Sequence, residues 1–218
     1  MNPKNDMDHQ LKTPAATQPV LMPLLFILLV TIITQLAHLA YNSSQDFQSI
    51  VLPSVLYLSA ITIPLGGMGI WLGRQLGLGT PLLAALLSKQ PGAGSKLLSD
   101  ARTATLLGLS IGVALVLLRE VTAPYLPPEI PAFGHRGFLG GILVSAAAAI
   151  SEEVWFRLGI LTILLWCIAR LSGRKSITPS IAWPVIILVS IGFGLAHLPQ
   201  LNSYGAASPY AIWATIIG

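Results

Sequence analysis

Residues 138–171 read FLGGILVSAAAAISEEVWFRLGILTILLWCIARL, an apolar run whose interior carries only three charges, Glu152, Glu153 and Arg157. At 1.5 Å per helical residue the run is about 50 Å long. That is long for one crossing of a hydrocarbon core of about 30 Å and short for a hairpin of two crossings, each needing about 20 residues. Lys and Arg tend to stay on the cytoplasmic side, so their distribution decides between the two. With one long helix here, nine Lys and Arg fall on one side, in the N-terminal tail, the Arg74–Arg102 loop and the Arg170–Lys175 loop. Two fall on the other side and Arg157 stays inside the membrane. A break at Gly159 would put the Arg170–Lys175 loop on the wrong side. The run is therefore read as one helix, with the N-terminus cytoplasmic.

Working outward, further spans are predicted at Leu21–Tyr41, Ile50–Leu72, Thr103–Leu118 and Ser180–Leu198, with another beginning near Pro209. Pro53 and Pro64 are tolerable in the second because neighbouring helices cover the freed backbone groups. Between Gly73 and Arg102 the segment Pro81–Leu87 is too short to span and is expected to be an interfacial helix, followed by a Pro91–Ser95 turn. The pairs Gly69/Gly73 and Gly108/Gly112 have the four-residue spacing that lets membrane helices approach closely. Neither Gly67-Met-Gly69 nor the glycines of Gly92–Lys96 have the full spacing of a phosphate cradle.

Composition agrees. Only 9% of the 218 residues are charged, 54% are hydrophobic and the mean hydropathy is +0.75. A soluble domain carries about 25% charged residues. The expected fold is thus an all-α, polytopic membrane helical bundle with about six spans visible. Residues 1–20 form a polar N-terminal tail and residues 21–218 the membrane domain. The formal charge of +4 resides in short loops, which orient a membrane protein rather than hold nucleic acid. The single cysteine, Cys167, excludes a disulfide framework within the chain. The expected location is an integral membrane protein of the plasma (inner) membrane.

Two stretches carry chemistry: Ser151-Glu-Glu-Val-Trp-Phe-Arg157 and Phe193-Gly-Leu-Ala-His197. An ionisable residue at the centre of a membrane helix costs about 2.5–3.5 kcal/mol, so such residues need partners or a watery cavity. Glu153 and Arg157 stand at i, i+4 and can pair along one face. Glu152, rotated about 100° away, is left as the free carboxylate suited to general-base work. Glu152 and His197 are equally far from the basic turn at Arg174/Lys175. On antiparallel helices this predicts a shared depth, within reach of one water. Phe193, four residues before His197, shares its face and could wall the pocket. The same residues also admit blander roles, Glu-Glu…Arg as glue between helices and His197 as a structural histidine. His38, His135 and the tryptophans Trp155, Trp166, Trp183 and Trp213 are read as structural or interfacial.

The order Glu152-Glu-x-x-x-Arg157, then Phe193-x-x-x-His197, on successive membrane helices resembles the CPBP intramembrane protease family, which includes the type II CAAX prenyl proteases and the Abi, bacteriocin-processing, proteins. The likeness covers residues 102–218, the start and middle of such a domain. It implies an all-helical membrane fold and cleavage of a peptide bond of a membrane-associated or prenylated substrate. By that resemblance Glu152 activates water, His197 holds or polarises it, and Glu153, Arg157 and Phe193 support the site. The family's later His-x-x-x-Asn motif has no match, and Asn202, in a loop, is no substitute. The run ending Ile216-Ile-Gly218 is read as a truncated span. No metal ligand set is assigned, although carboxylate and imidazole also make zinc sites, so the cofactor stays open. The expected partners are the lipid bilayer and a membrane peptide or protein substrate. The alternatives are a non-catalytic membrane scaffold or immunity protein on the same fold, and a small transporter relaying protons through Glu152 and His197.

Overall fold

The computed structural model describes residues 19–131, 135–174, 176–205 and 208–217. Most of the polar tail, Lys175 and Gly218 lie outside them. Among the described residues every regular element is helical. The order is α1 Leu21–Asn42, α2 Phe47–Gly73 with a 3₁₀ turn to Leu76, α3 Pro81–Leu87, and α4 Ala93–Thr122 with a 3₁₀ turn to Tyr125. Then follow α5 Gly137–Glu152, a π-helical segment Glu153–Leu161, α6 Thr162–Leu171, α7 Pro179–Ala196, α8 Leu198–Ser203 and α9 Pro209–Ile217. Among the described residues five segments are long and apolar enough to cross a membrane: Leu21–Asn42, Phe47–Leu76, Ala93–Tyr125, Gly137–Leu171 and Pro179–Ser203. The chain is an all-α polytopic membrane protein.

The long run is one unbroken helical segment of 35 residues, as the charge count requires. Two boundaries differ from expectation. The third span begins at Ala93 rather than Thr103, because Gly92 takes a left-handed φ of 82° and the helix starts immediately after it. Only Gly reaches that conformation without steric cost, so the expected Pro91–Ser95 turn closes early. Residues 198–203, including Asn202, form a short helix rather than a loop. The segment expected near Pro209 is the nine-residue helix α9, which begins at that residue.

The described residues fall into two compact units, Met1–Leu87 with Phe133–Val189, and Ser88–Ala132 with Ser190–Gly218. The first is built around close backbone contact. A Cβ on Gly69 of α2 would fall on the Leu158 carbonyl oxygen, and one on Gly159 would lie 2.9 Å from Leu65 Cβ. Lipid offers no hydrophobic drive for two apolar helices to associate, so small residues and van der Waals contact supply it. Ile27, Ile70 and Val154 form the buried cluster beside this crossing. A second cluster, Leu165, Val185 and Val189, ties α6 to the first half of α7. Polar side chains add direction: Gln35 of α1 donates through Nε2 to Ser151 Oγ at 3.1 Å and to the Ala147 carbonyl at 3.3 Å. Asn42 Nδ2 donates to the Gly140 carbonyl at 3.3 Å and to His38 Nδ1 at 2.9 Å, which gives His38 the structural role expected of it.

In the second unit α8 and α9 pack through Leu201 and Ala211, with Ile130, Leu198, Tyr204 and Ile212 around them. A Cβ on Gly194 would lie 2.6 Å from the Ile216 carbonyl oxygen. Gly108 and Gly112 of α4 behave otherwise than their spacing predicts, since a Cβ on either meets no atom within 4 Å among the described residues.

Candidate active site

The acidic motif lies where the long helix changes its winding. Glu152 ends α5 and Glu153 opens the π-helical segment, which runs to Leu161. A π turn bonds i to i+5 and inserts an extra residue into the helical repeat; such bulges concentrate at functional sites. Thr162 follows that step with its side chain, donating through Oγ1 to the Arg157 carbonyl at 3.2 Å. Trp155 pins the segment from another side. Its Nε1 donates to Thr62 Oγ1 at 2.9 Å, and its ring meets Tyr57 edge-on with centroids 6.5 Å apart. Thr62 is wholly buried.

Glu153 and Arg157 pair as their spacing predicts, with Nη1 and Oε2 3.0 Å apart. The pair is not buried, however; the Arg157 and Glu153 side chains are 73% and 57% exposed. They line one flank of an open cavity of about 780 Å³ whose other walls are nearly all apolar, among them Leu158, Leu161, Leu165, Ala182 and Trp183. Glu152 is half-buried. It is engaged with other groups, which corrects the expectation of a free carboxylate.

His197 follows the last residue of α7 and starts α8. Its Nδ1 lies 2.9 Å from the Phe193 carbonyl oxygen. A carbonyl only accepts, so Nδ1 is the donor, and in the neutral ring Nε2 is left as the acceptor nitrogen. Phe193 meets the imidazole edge-to-face with centroids 4.6 Å apart and a 63° tilt, so the face-sharing expected of the two residues holds. His197 also lines a separate cavity of about 310 Å³ in the second unit, together with Arg119, Gln200, Tyr204 and Thr215. Glu152 falls in the first unit and His197 in the second. Each is therefore described within its own unit.

Among the described residues no three His, Cys, Asp or Glu side chains gather as metal ligands would. The sequence reading missed three groups near the motifs. Gln35, a lone amide in an apolar span, signals an interhelical hydrogen bond. Thr62 gives no sequence signal, because threonine is unremarkable in a span. Arg119, just past the predicted span Thr103–Leu118, gives no sequence signal beyond a charge at a span's end; it occupies the last turn of α4 and lines the cavity of His197.

No curated protein and no solved structure matches the chain. A family model described as Rce1-like, type II CAAX prenyl endopeptidase Rce1-like, matches residues 135–218. The matched stretch contains both Glu152…Arg157 and Phe193…His197, the motifs that prompted the resemblance. Over residues 135–218 the chain is thus similar to the Rce1-like, type II CAAX prenyl endopeptidase family.

Proposed function

We propose that the chain is an intramembrane endopeptidase acting on a membrane-associated or prenylated, CAAX-type substrate. The observation that carries this reading is the family match over residues 135–218 with both motifs inside it. In the proposed reaction Glu152 takes a proton from water, and the oxygen attacks the scissile carbonyl carbon. The tetrahedral oxyanion then collapses, the C–N bond breaks, and the leaving amine takes the proton back from Glu152. His197 orients the water through Nε2, the nitrogen left as acceptor when Nδ1 donates to the Phe193 carbonyl. Phe193 holds the ring at its angle. Glu153 and Arg157 support the site from the flank of the apolar cavity, whose walls suit a hydrocarbon chain better than a polar one.

The test is cleavage of a synthetic S-prenylated peptide by the purified chain in detergent. Glu152→Ala and His197→Ala are expected to lower the rate at least 100-fold, the lower range of a general-base contribution. Wild-type cleavage by Glu152→Ala sinks the mechanism. We further propose a cytoplasmic N-terminus and a plasma-membrane location. In a chain with Cys167 replaced by Ser, Ser44→Cys should be labelled from outside and Ser176→Cys only after permeabilisation. Labelling of Ser176→Cys from outside reverses the orientation.

A further inference from the structure

The cavity beside His197 has a charge character of its own. Among the described residues its walls include a single permanent cation, Arg119, and no carboxylate. The nearest acids along the chain, Glu120 and Glu129, are both exposed and line no part of it. Glu120 adjoins Arg119 in α4, and side chains at i, i+1 do not face each other. Arg119 is half-buried, and one Nη2 donates to the Pro131 carbonyl at 3.2 Å. That bond anchors the guanidinium while engaging one of its five N–H groups. A neutral carbonyl does not balance the charge, so a partly buried arginine held there can still pair with an anion brought from outside. The planar fork of donors matches a carboxylate in two parallel hydrogen bonds. Gln200 and Tyr204, joined at 3.1 Å, add polar atoms to the same wall. At about 310 Å³ the cavity is at the small end of ligand sites and holds a short chain terminus rather than a long one.

We propose that Arg119 recognises the C-terminal carboxylate of the peptide substrate, making the His197 cavity a subsite for the residues released by cleavage. This rests on the endopeptidase reading and goes beyond it. Arg119 precedes the family-matched segment, which begins at residue 135, so the specificity is assigned to a part of the chain outside the match.

The experiment uses the full chain carrying Glu152→Gln, so that binding is read without turnover. Two S-prenylated peptides of one sequence are compared, one with a free C-terminal carboxylate and one amidated. The acid is expected to bind about tenfold tighter or more, the scale of a charge-assisted hydrogen bond. Adding Arg119→Gln should bring the two affinities together, while Arg119→Lys should keep part of the preference. Equal binding of both peptides when Arg119 is present overturns the proposal without need of a folded variant. A preference that survives Arg119→Gln also overturns it, as does an equal loss for both peptides, the mark of a structural role through Pro131. Displacement of the acid peptide by phosphatidylglycerol micelles that depends on Arg119 assigns the cavity to a lipid phosphate and overturns it too. If wild-type protein cleaves neither peptide while the acid preference depends on Arg119, the endopeptidase reading fails and the carboxylate site stands.

Discussion

The segments Gly137–Leu171 and Ala93–Tyr125 are near equals in sequence, each long enough to cross a membrane and comparably apolar, yet 28% of the most apolar window is buried in the first and none in the second. The difference lies in what interrupts the hydrocarbon. Gly137–Leu171 carries Gly159, which lets Leu65 approach, and Trp155, which reaches Thr62. Ala93–Tyr125 has glycines at the favoured four-residue spacing, but Leu106, Leu107, Leu109 and Ile111 around Gly108 are all well exposed. A small-residue pair is permission for contact and does not create it. In lipid, a bare leucine face costs nothing, because the surrounding chains are as apolar as it is.

The largest expected effect breaks this contrast at the helix crossing. Gly69→Ala places a methyl on the Leu158 carbonyl, which is backbone and cannot rotate away. The helices must separate, and overpacking of this kind costs about 1–3 kcal/mol. Gly108→Ala and Gly112→Ala meet open space among the described residues and should change stability by less than about 0.5 kcal/mol. Thermal unfolding in one detergent compares all three, and equal shifts would erase the distinction between the two segments. Gly159→Ala should fall between them, since its Cβ meets the Leu65 side chain at 2.9 Å as well as backbone.

The next effect concerns the hydrogen bond that holds the π-helical segment. Trp155→Phe keeps the aromatic contact with Tyr57 and removes the donor to Thr62 Oγ1. Its expected cost is about 1 kcal/mol. A double-mutant cycle with Thr62→Val isolates the pair; additive losses would show that the bond contributes nothing. Gln35→Leu, which cuts two bonds to α5, should cost a similar amount, about 1 kcal/mol.

How much of this was legible follows from the physics of each signal. Spans are set by hydropathy over some 20 residues, so all five emerge from the sequence, and the charge count resolves the long run as one helix. The i, i+4 pairing of Glu153 with Arg157 is local geometry and was equally readable. The winding change at Glu153 was not, since a π turn depends on which neighbour presses against the helix and no composition marks it. Gly69 and Gly108 look alike in sequence because spacing says nothing of the partner. The bond from Trp155 to Thr62 joins positions 93 residues apart, beyond any local pattern. Arg119 was not legible for a related reason: a charge at a span's end is ordinary, and only the packing of α8 and α9 gives it a cavity.

The smallest expected effect compares the two ion pairs with the same spacing, one in each segment. Glu153 and Arg157 approach to 3.0 Å, and Lys96 and Asp100 to 3.4 Å. All four side chains are substantially exposed. Acid before base is the better order along a helix, so the first pair has geometry and direction in its favour. Exposed pairs of this type are still worth only about 0.3–0.5 kcal/mol, and salt weakens them. Glu153→Gln and Asp100→Asn should therefore both leave the unfolding midpoint nearly unchanged at 0.5 M salt. Activity should separate them. Glu153 lines the large apolar cavity of the first unit, whereas Asp100 lines neither cavity described above. With the proposed function correct, Glu153→Gln lowers kcat/KM at least tenfold with stability intact, and Asp100→Asn leaves it alone. Equal activities for the two variants would make the Glu153–Arg157 pair an ordinary surface contact, and the motif's second half would have to be explained by packing alone.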